Sequence, residues 1–324
     1  MGIHRVQLRI RSRLVTPLRA ETLWGHIAWS IRWHEGEDAL GAWLDRYDRG
    51  EPPLVLSDPM PSGWLPAPRI PLPPLPEDAP SDEEADRARR ARKRMWIARE
   101  SWEAIAHGVS SESLFHELER STAPASAVCG ALSHAAVNRL TGGTAQEGGG
   151  TLFSTNNLFY GADGDTFDTW ALSDEPSSDV GAIFERALSG GYGRDAASGA
   201  GDIRVIGCEE STLSTVEHAN AGVLLGPAVP ASADPARGYF GVDVYSGRLG
   251  GVFSIEPTPD GVDQKQKNPV TRLVRGSVII AEPPPLVFGR VVGGVHPWAP
   301  VRHCGVTLVL PCRLEDSLVQ EAAA

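Results

Sequence analysis

The segment GGYGRDAASGAG, residues 190–201, holds five glycines in twelve positions together with Tyr192, Arg194, Asp195 and Ser198. Glycine at that density marks backbone in conformations other residues avoid, or backbone pressed close to a partner. A nucleotide phosphate loop runs strand, glycine loop, helix, so that phosphate meets the positive end of a helix dipole. Here the order is reversed. A helix over 179–188, with Asp179 as cap and Val180, Ile183, Phe184, Ala187 and Leu188 on one side, precedes the loop, and the strand DIRVIGCE follows it. There is no Gly-Lys-Ser/Thr either. Two readings stay open. In the first, Gly190 or Gly191 caps the helix and a glycine-rich turn follows. In the second, the loop is a close-approach surface for a bulky polyanion, with Arg194 and Ser198 as donors and Tyr192 free to stack. Gly193, Gly199 and Gly201 exceed what a cap needs, which favours the second.

Other residue types offer less. His26, in TLWGHIAW, is a histidine in a first helix and so a candidate general acid or base. It shares a helical side with Trp29, Ser30 and Trp33, which favours packing instead. His303, in VRHCG, sits in a strand and reads the same way. Asp163, Asp165 and Asp168 imitate the start of a calcium loop but lack its later glutamate ligand, so a solvated acidic loop is expected. Cys129, Cys208, Cys304 and Cys312 form no zinc spacing, and reduced thiols are the expectation. Neither a metal nor a cofactor is expected.

The elements that must position these groups show in the hydrophobic pattern. Val6, Leu8 and Ile10 alternate with Gln7, Arg9 and Arg11, which predicts a strand with one wet, basic face. Leu23, Ile27 and Ile31 then predict a helix, with Thr22 as N-cap and Gly36 as stop. A second helix carries Ala39, Leu40, Trp43, Leu44 and Tyr47 and ends by Gly50. Residues 52–80 are proline-rich and excluded from regular helix or central strand, yet Trp64, Leu65 and Ile70 predict partial packing. A helix with Ser81 and Glu84 as capping box is expected to carry a dense run of bases over 87–99, ready for solvent, nucleic acid or an acidic partner. Residues 130–150 read as a polar loop, followed by TLF and NLFY as short strands. After a break near 209–221, the remainder alternates strands and turns.

Hydrophobic content of 41% and charged content of 22% are ordinary globular values. The net charge of −11 argues against nonspecific coating of nucleic acid but permits a local basic groove. No apolar run approaches the roughly 20 residues that span a bilayer, and the first residues lack the apolar centre of a signal peptide. A cytoplasmic protein that does not engage membrane is expected.

With helix, glycine loop and strand in that order inside a βαββαβ pattern, the chain resembles the RAMP superfamily of CRISPR RNA-binding proteins. TPLRAETLWGHIAWSIRWHEGEDAL resembles the family's first helix and its lead-in, and HAAVNRLTGGTAQEGGGTLFS its central Asn-Arg, Thr-Gly segment. GYGRDAASGAGDIRV resembles the glycine loop and strand; YSGRLGGVFS, RGSVI and VRHCGVTLVLP resemble the C-terminal half. In this order the pieces resemble the fourth subunits of type III Csm effector complexes, the Cas-five group. That resemblance implies an α+β chain of two ferredoxin-like (RRM-like) domains with antiparallel sheets. Residues 1–210 would form the first, with a proline-rich and helical insertion at about 52–125, and residues 220–324 the strand-rich second. It implies a non-catalytic subunit that caps the crRNA 5′ handle, docks the large polymerase-like subunit and a neighbouring backbone RAMP subunit, and meets target RNA indirectly. Gly191, Tyr192, Gly193, Arg194, Ser198, Gly199, Asn138, Arg139, Thr141 and Arg248 would hold RNA through phosphates, 2′-hydroxyls and stacking. Asp195, Asp202 and Ala136 depart from the family's usual residues. The alternative implied by other RAMP proteins is metal-independent cleavage of CRISPR repeat RNA, with His26 as general acid or base.

Overall fold

The computed structural model describes residues 1–74, 82–135, 152–254 and 264–322. The chain runs β1 (Gly2–Ile10), α1 (Ala20–Glu35), α2 (Glu37–Asp48), β2 (Leu54–Leu56), β3 (Met60–Pro61) and β4 (Trp64–Pro66). Then come α3 (Asp82–Arg92), β5 (Trp96–Ala98), α4 (Arg99–Ile105), α5 (Ser111–Arg120), β6 (Val128–Ala135) and β7 (Leu152–Phe159). Next are β8 (Thr166–Ser173), α6 (Ser177–Leu188) and β9 (Ile203–Glu210). The rest comprises β10 (Ala221–Leu224), β11 (Gly238–Tyr239), β12 (Val242–Tyr245), β13 (Val270–Leu273), β14 (Val278–Ile280), β15 (Val287–Val292), β16 (His303–Cys312) and α7 (Asp316–Glu321).

The first sheet has the order β2-β8-β1-β9, with β3 also on β8, and every pairing in it is antiparallel. Helix α1 lies between β1 and β2 in the chain, and α6 connects β8 to β9. The alternation of β1 is realised: Val6, Leu8 and Ile10 are buried, and the arginines stand on the opposite side. The second sheet, β11-β14-β10-β16-β15, is also antiparallel. Its strands sort by period two. Val223 of β10 and Leu308 and Leu310 of β16 join the main core shared with β1 and α1, whereas Leu224 and Val309 turn to a smaller cluster with Phe288.

The start of α1 is tied to the β12–β13 ribbon and to the segment after β2. Arg272 on β13 and Glu21 in the first turn of α1 are 4% and 6% exposed and form an ion pair, while Asp243 on β12 takes the other side of the Arg272 guanidinium at 2.7 and 3.0 Å. Asp58 accepts from the Ala20 amide at 2.9 Å and from Arg275 at 3.1 Å. Losing one partner of a buried pair costs roughly 3–5 kcal/mol, because the other charge is stranded. The cap expected from Thr22 is thus supplied from across the fold by Asp58, and Gly36 ends the helix with a φ of 101°.

Three expectations are corrected. The basic run over 87–99 is not one helix: α3 stops at Arg92, and residues 96–98 form β5, paired with β4 in the register Leu65↔Ile97. Ile97 is wholly buried there, so apolar pairing overrides the charge pattern. Nor does α3 present bases on every face, because Ala88 and Ala91 are buried. Third, part of the region expected to be a polar loop is β6, and Leu152–Phe153 and Asn157–Phe159, from the two expected short strands, fall on one continuous strand, β7. Ser81 lies outside the described residues.

Candidate nucleic-acid interface

The glycine loop leaves the C-terminus of α6 and folds back on itself. Gly191 takes the left-handed conformation at φ 84°, its amide bonding Leu188 as a helix cap requires. Gly193, Asp195, Gly199 and Gly201 follow at φ 70°, 62°, 82° and 72°. A Cβ on Gly193 would sit 2.6 Å from Thr16, and one on Gly201 would overlap the Tyr192 carbonyl. The amides are committed inside the chain. Tyr192 donates to Gly201, Gly193 to His26, Arg194 to Thr16, Gly201 to Arg13 and Asp202 to Ser12, at 2.8 to 3.0 Å. The partner that the glycines approach is therefore the chain's own segment 12–16 and the loop itself. A rim of Arg194, Ser198 and Gly199 stays exposed.

Tyr192 is 0% exposed, which removes it as a stacking platform for a ligand. Its hydroxyl donates to Pro17 at 2.8 Å and accepts from the Arg19 amide at 3.0 Å, and its ring stacks on His26 at 5.3 Å. The apolar ring, sealed between α1 and the loop, belongs to the main core and anchors the loop to it. His26 accepts the Gly193 amide at Nε2, so its proton is on Nδ1, and burial pushes its pKa down to about 4. A neutral imidazole already accepting at that nitrogen is poorly suited to take a proton from RNA. His303 is also buried, its pKa pushed down to about 3 by desolvation and by Lys267 and Arg272.

Around the rim stand bases on β1, its extension and β9. Arg9, Arg11, Arg194 and Arg204 have half or more of their side chains exposed, and each has a carboxylate within 3.0 to 3.9 Å, from Asp165, Asp202 or Asp195. Surface pairs of this kind are weak, so a phosphate can compete for the arginine. Arg13 ties the loop to the β6–β7 ribbon, donating to Asn157 at 3.1 Å and to the Ser198 carbonyl at 3.4 Å. The sequence shows a wet, basic face on β1, but none of Arg9, Arg11, Arg13 and Arg204 was among the expected RNA-binding residues; the charge alternation was the available signal for the first two.

The remaining predicted residues are distributed. Asn138, Arg139 and Thr141 lie outside the described residues, between β6 and β7. The ribbon end that leads to them, Ala135↔Leu152, is five pairs from Asn157, about 17 Å by strand rise. Arg248 is exposed next to a turn whose Gly250 and Gly251 press on Trp29 of α1, one helical turn beyond His26. Helix α1 therefore carries the glycine loop at His26 and the Arg248 turn at Trp29. Asp168 is buried in β8 and accepts from Gln7 at 3.3 Å, so it is not part of an acidic loop. Among the described residues no group of three His, Cys, Asp or Glu could hold a metal ion, and no helix is long and apolar enough to cross a membrane.

No protein-family model matches the chain, and no curated protein matches it. Solved structures do. A chain of the Csm1–Csm4 cassette crystallised with AMPPNP superposes at a TM-score of 0.58 and 18% identity, over 98% of this chain and 100% of its own. The cassette with pppApA gives 0.59 at 18% identity with the same coverage. A chain of the Csm3–Csm4 subcomplex of the type III-A CRISPR–Cas interference complex gives 0.51 at 12% identity, over 94% and 99%. The class defined is an α+β fold of antiparallel sheets with helices, as found in type III CRISPR subunits. Within that class the chain shares the fold of a chain of the Csm1–Csm4 cassettes along essentially its whole length.

Proposed function

We propose that this protein is a non-catalytic RNA-binding subunit of a type III CRISPR ribonucleoprotein. It holds the crRNA 5′ handle, docks the large polymerase-like subunit and a neighbouring backbone RAMP subunit, and meets target RNA only through the assembly. The observation that carries this reading is the whole-length likeness to a chain of Csm1–Csm4 and Csm3–Csm4 assemblies. The exposed rim of the glycine loop and the arginines beside it support it with phosphate-binding chemistry at the matching point of the chain order. Residues 1–210 form a ferredoxin-like domain on this reading. Its sheet order β9-β1-β8-β2 with α1 and α6 as crossovers supports that, and about 52–125 is the insertion. Residues 220–324 form a second, strand-rich domain of the same kind, supported by its antiparallel sheet.

The RNA contacts belong to Arg194, Ser198 and Gly199 of the rim, to Asn138, Arg139 and Thr141, and to Arg248. Gly191, Tyr192 and Gly193 shape the loop from within. The buried, neutral His26 disfavours the nuclease alternative. In the assembled complex, Arg139→Glu with Arg194→Glu is expected to expose the handle to added ribonuclease. Unchanged protection would leave a scaffold without RNA contact as the better account. Repeat RNA incubated with the purified protein in EDTA is expected to stay intact; cleavage that His26→Ala abolishes would restore the nuclease.

A further inference from the structure

We propose that a concavity between residues 67–72, the end of α3 and β11 binds the phosphate of a nucleotide, at a site separate from the glycine loop. The concavity measures about 490 Å³, within the size range of small-ligand pockets. Arg69, Arg92, Lys93, Arg94 and Arg275 line it, and no carboxylate does among the described residues. This is unusual for a chain of net charge −11. Arg9, Arg11, Arg194 and Arg204 around the glycine loop have carboxylate partners, as do most other arginines in the chain. In the concavity only Arg275 has one, Asp58, and it also lies 4.3 Å over the Trp96 ring. Arg69, Arg92, Lys93 and Arg94 form no ion pair among the described residues.

The guanidinium groups carry the second observation. Nε and Nη2 of Arg92, and Nε and Nη1 of Arg94, are buried with no hydrogen-bond partner among the described residues. Buried charged donors left in this way are costly, and gathering like charges adds to the cost. A bound anion would offset the cost of gathering these like charges. Guanidinium forks match phosphate oxygens two at a time, and a nucleotide supplies both the charge and a flat base. Phe240 and Met95, 39% and 59% exposed at the edge of the same concavity, offer the base an apolar face. An acidic protein segment would use the charges but not the aromatic ring.

This inference rests on charge and geometry in the concavity and not on the reading of the glycine loop. The test measures binding of ATP and, separately, of a 5′-phosphorylated single-stranded RNA decamer to the full chain, in an Arg194→Glu background that sets the loop rim aside. Arg92→Gln with Arg94→Gln is expected to weaken the bound probe about tenfold or more, by loss of charge-assisted contacts. Arg69→Glu with Lys93→Glu changes exposed side chains and is expected to weaken it in the same direction, so misfolding of the first variant does not shelter the proposal. Weakening for ATP alone assigns a free nucleotide as the source, and weakening for RNA alone assigns a nucleotide within a strand. The proposal is overturned if neither probe binds or if both variants bind as the parent does. It is equally overturned if a glutamate decamer binds as tightly and displaces the RNA, which would assign an acidic protein partner.

Discussion

The glycine loop and the basic concavity solve opposite problems. In the loop, backbone amides bond the chain itself, Tyr192 is sealed under the turn, and neighbouring arginines sit beside carboxylates. In the concavity, four bases crowd together without ion pairs among the described residues. Sequence alone ranks the loop as the more accessible polyanion surface, because glycines are visible in it and the concavity is not. Packing reverses part of that ranking. Glycine density there reports self-approach, and the rim of Arg194, Ser198 and Gly199 is what stays exposed, whereas like charges collect where five residues from distant parts of the chain converge.

That contrast is open to attack by substitution. The largest effect is expected from Gly201→Ala, which places a methyl against the Tyr192 carbonyl at a positive φ: a loss of about 3 kcal/mol or more in denaturant unfolding. A loss under about 1 kcal/mol would mean the loop is not closed on itself. Next comes Tyr192→Phe, which strands the Pro17 carbonyl and the Arg19 amide and is expected to cost roughly 1–3 kcal/mol. Gly199→Ala meets open space but keeps a φ of 82°, so about 1 kcal/mol is expected. The smallest effect belongs to the concavity. Lys93→Ala removes an exposed charge, without an ion pair among the described residues, from a like-charged group and is expected to leave stability within about 0.5 kcal/mol or raise it. A loss comparable to that of Tyr192→Phe would show that this lysine has a structural partner.

Acid sharpens the comparison in another way. His26 has an ordinary value of 6.5 and is pushed down to about 4 in the fold. The unfolded chain therefore takes up the proton first. Stability from this residue is complete above about pH 6.5 and declines as pH falls toward 4, and His303 extends the decline toward about 3. His26→Gln should flatten the upper part of that profile in thermal melts at stepped pH, while Arg92→Gln should leave its shape unchanged.

Local pattern made much of this legible. Alternation in β1, the apolar face of α1 and the helix–loop–strand order around residues 177–210 all appear in the structure, because each element's burial repeats along the chain. What escaped depends on contacts between distant residues. Asp58 caps α1 from across the fold, Ile97 pairs with Leu65 and breaks the basic run, and Tyr192 is sealed into the main core only once segment 12–19 wraps the loop. The bases of the concavity come from around 69, from 92–94 and from 275, so no window of sequence contains them. Of the candidate site, the exposed loop residues Arg194, Ser198 and Gly199 and the basic face of β1 were visible in the sequence; the inward role of Tyr192 and Gly193 was not.

The most direct test of the central claim is a density map of this chain assembled with crRNA and its partner subunits. The account expects handle phosphates within hydrogen-bonding distance, about 2.7–3.2 Å, of Arg194 and Ser198 at the loop rim. A handle lying wholly on another surface, with the rim covered by protein or open to solvent, would contradict it.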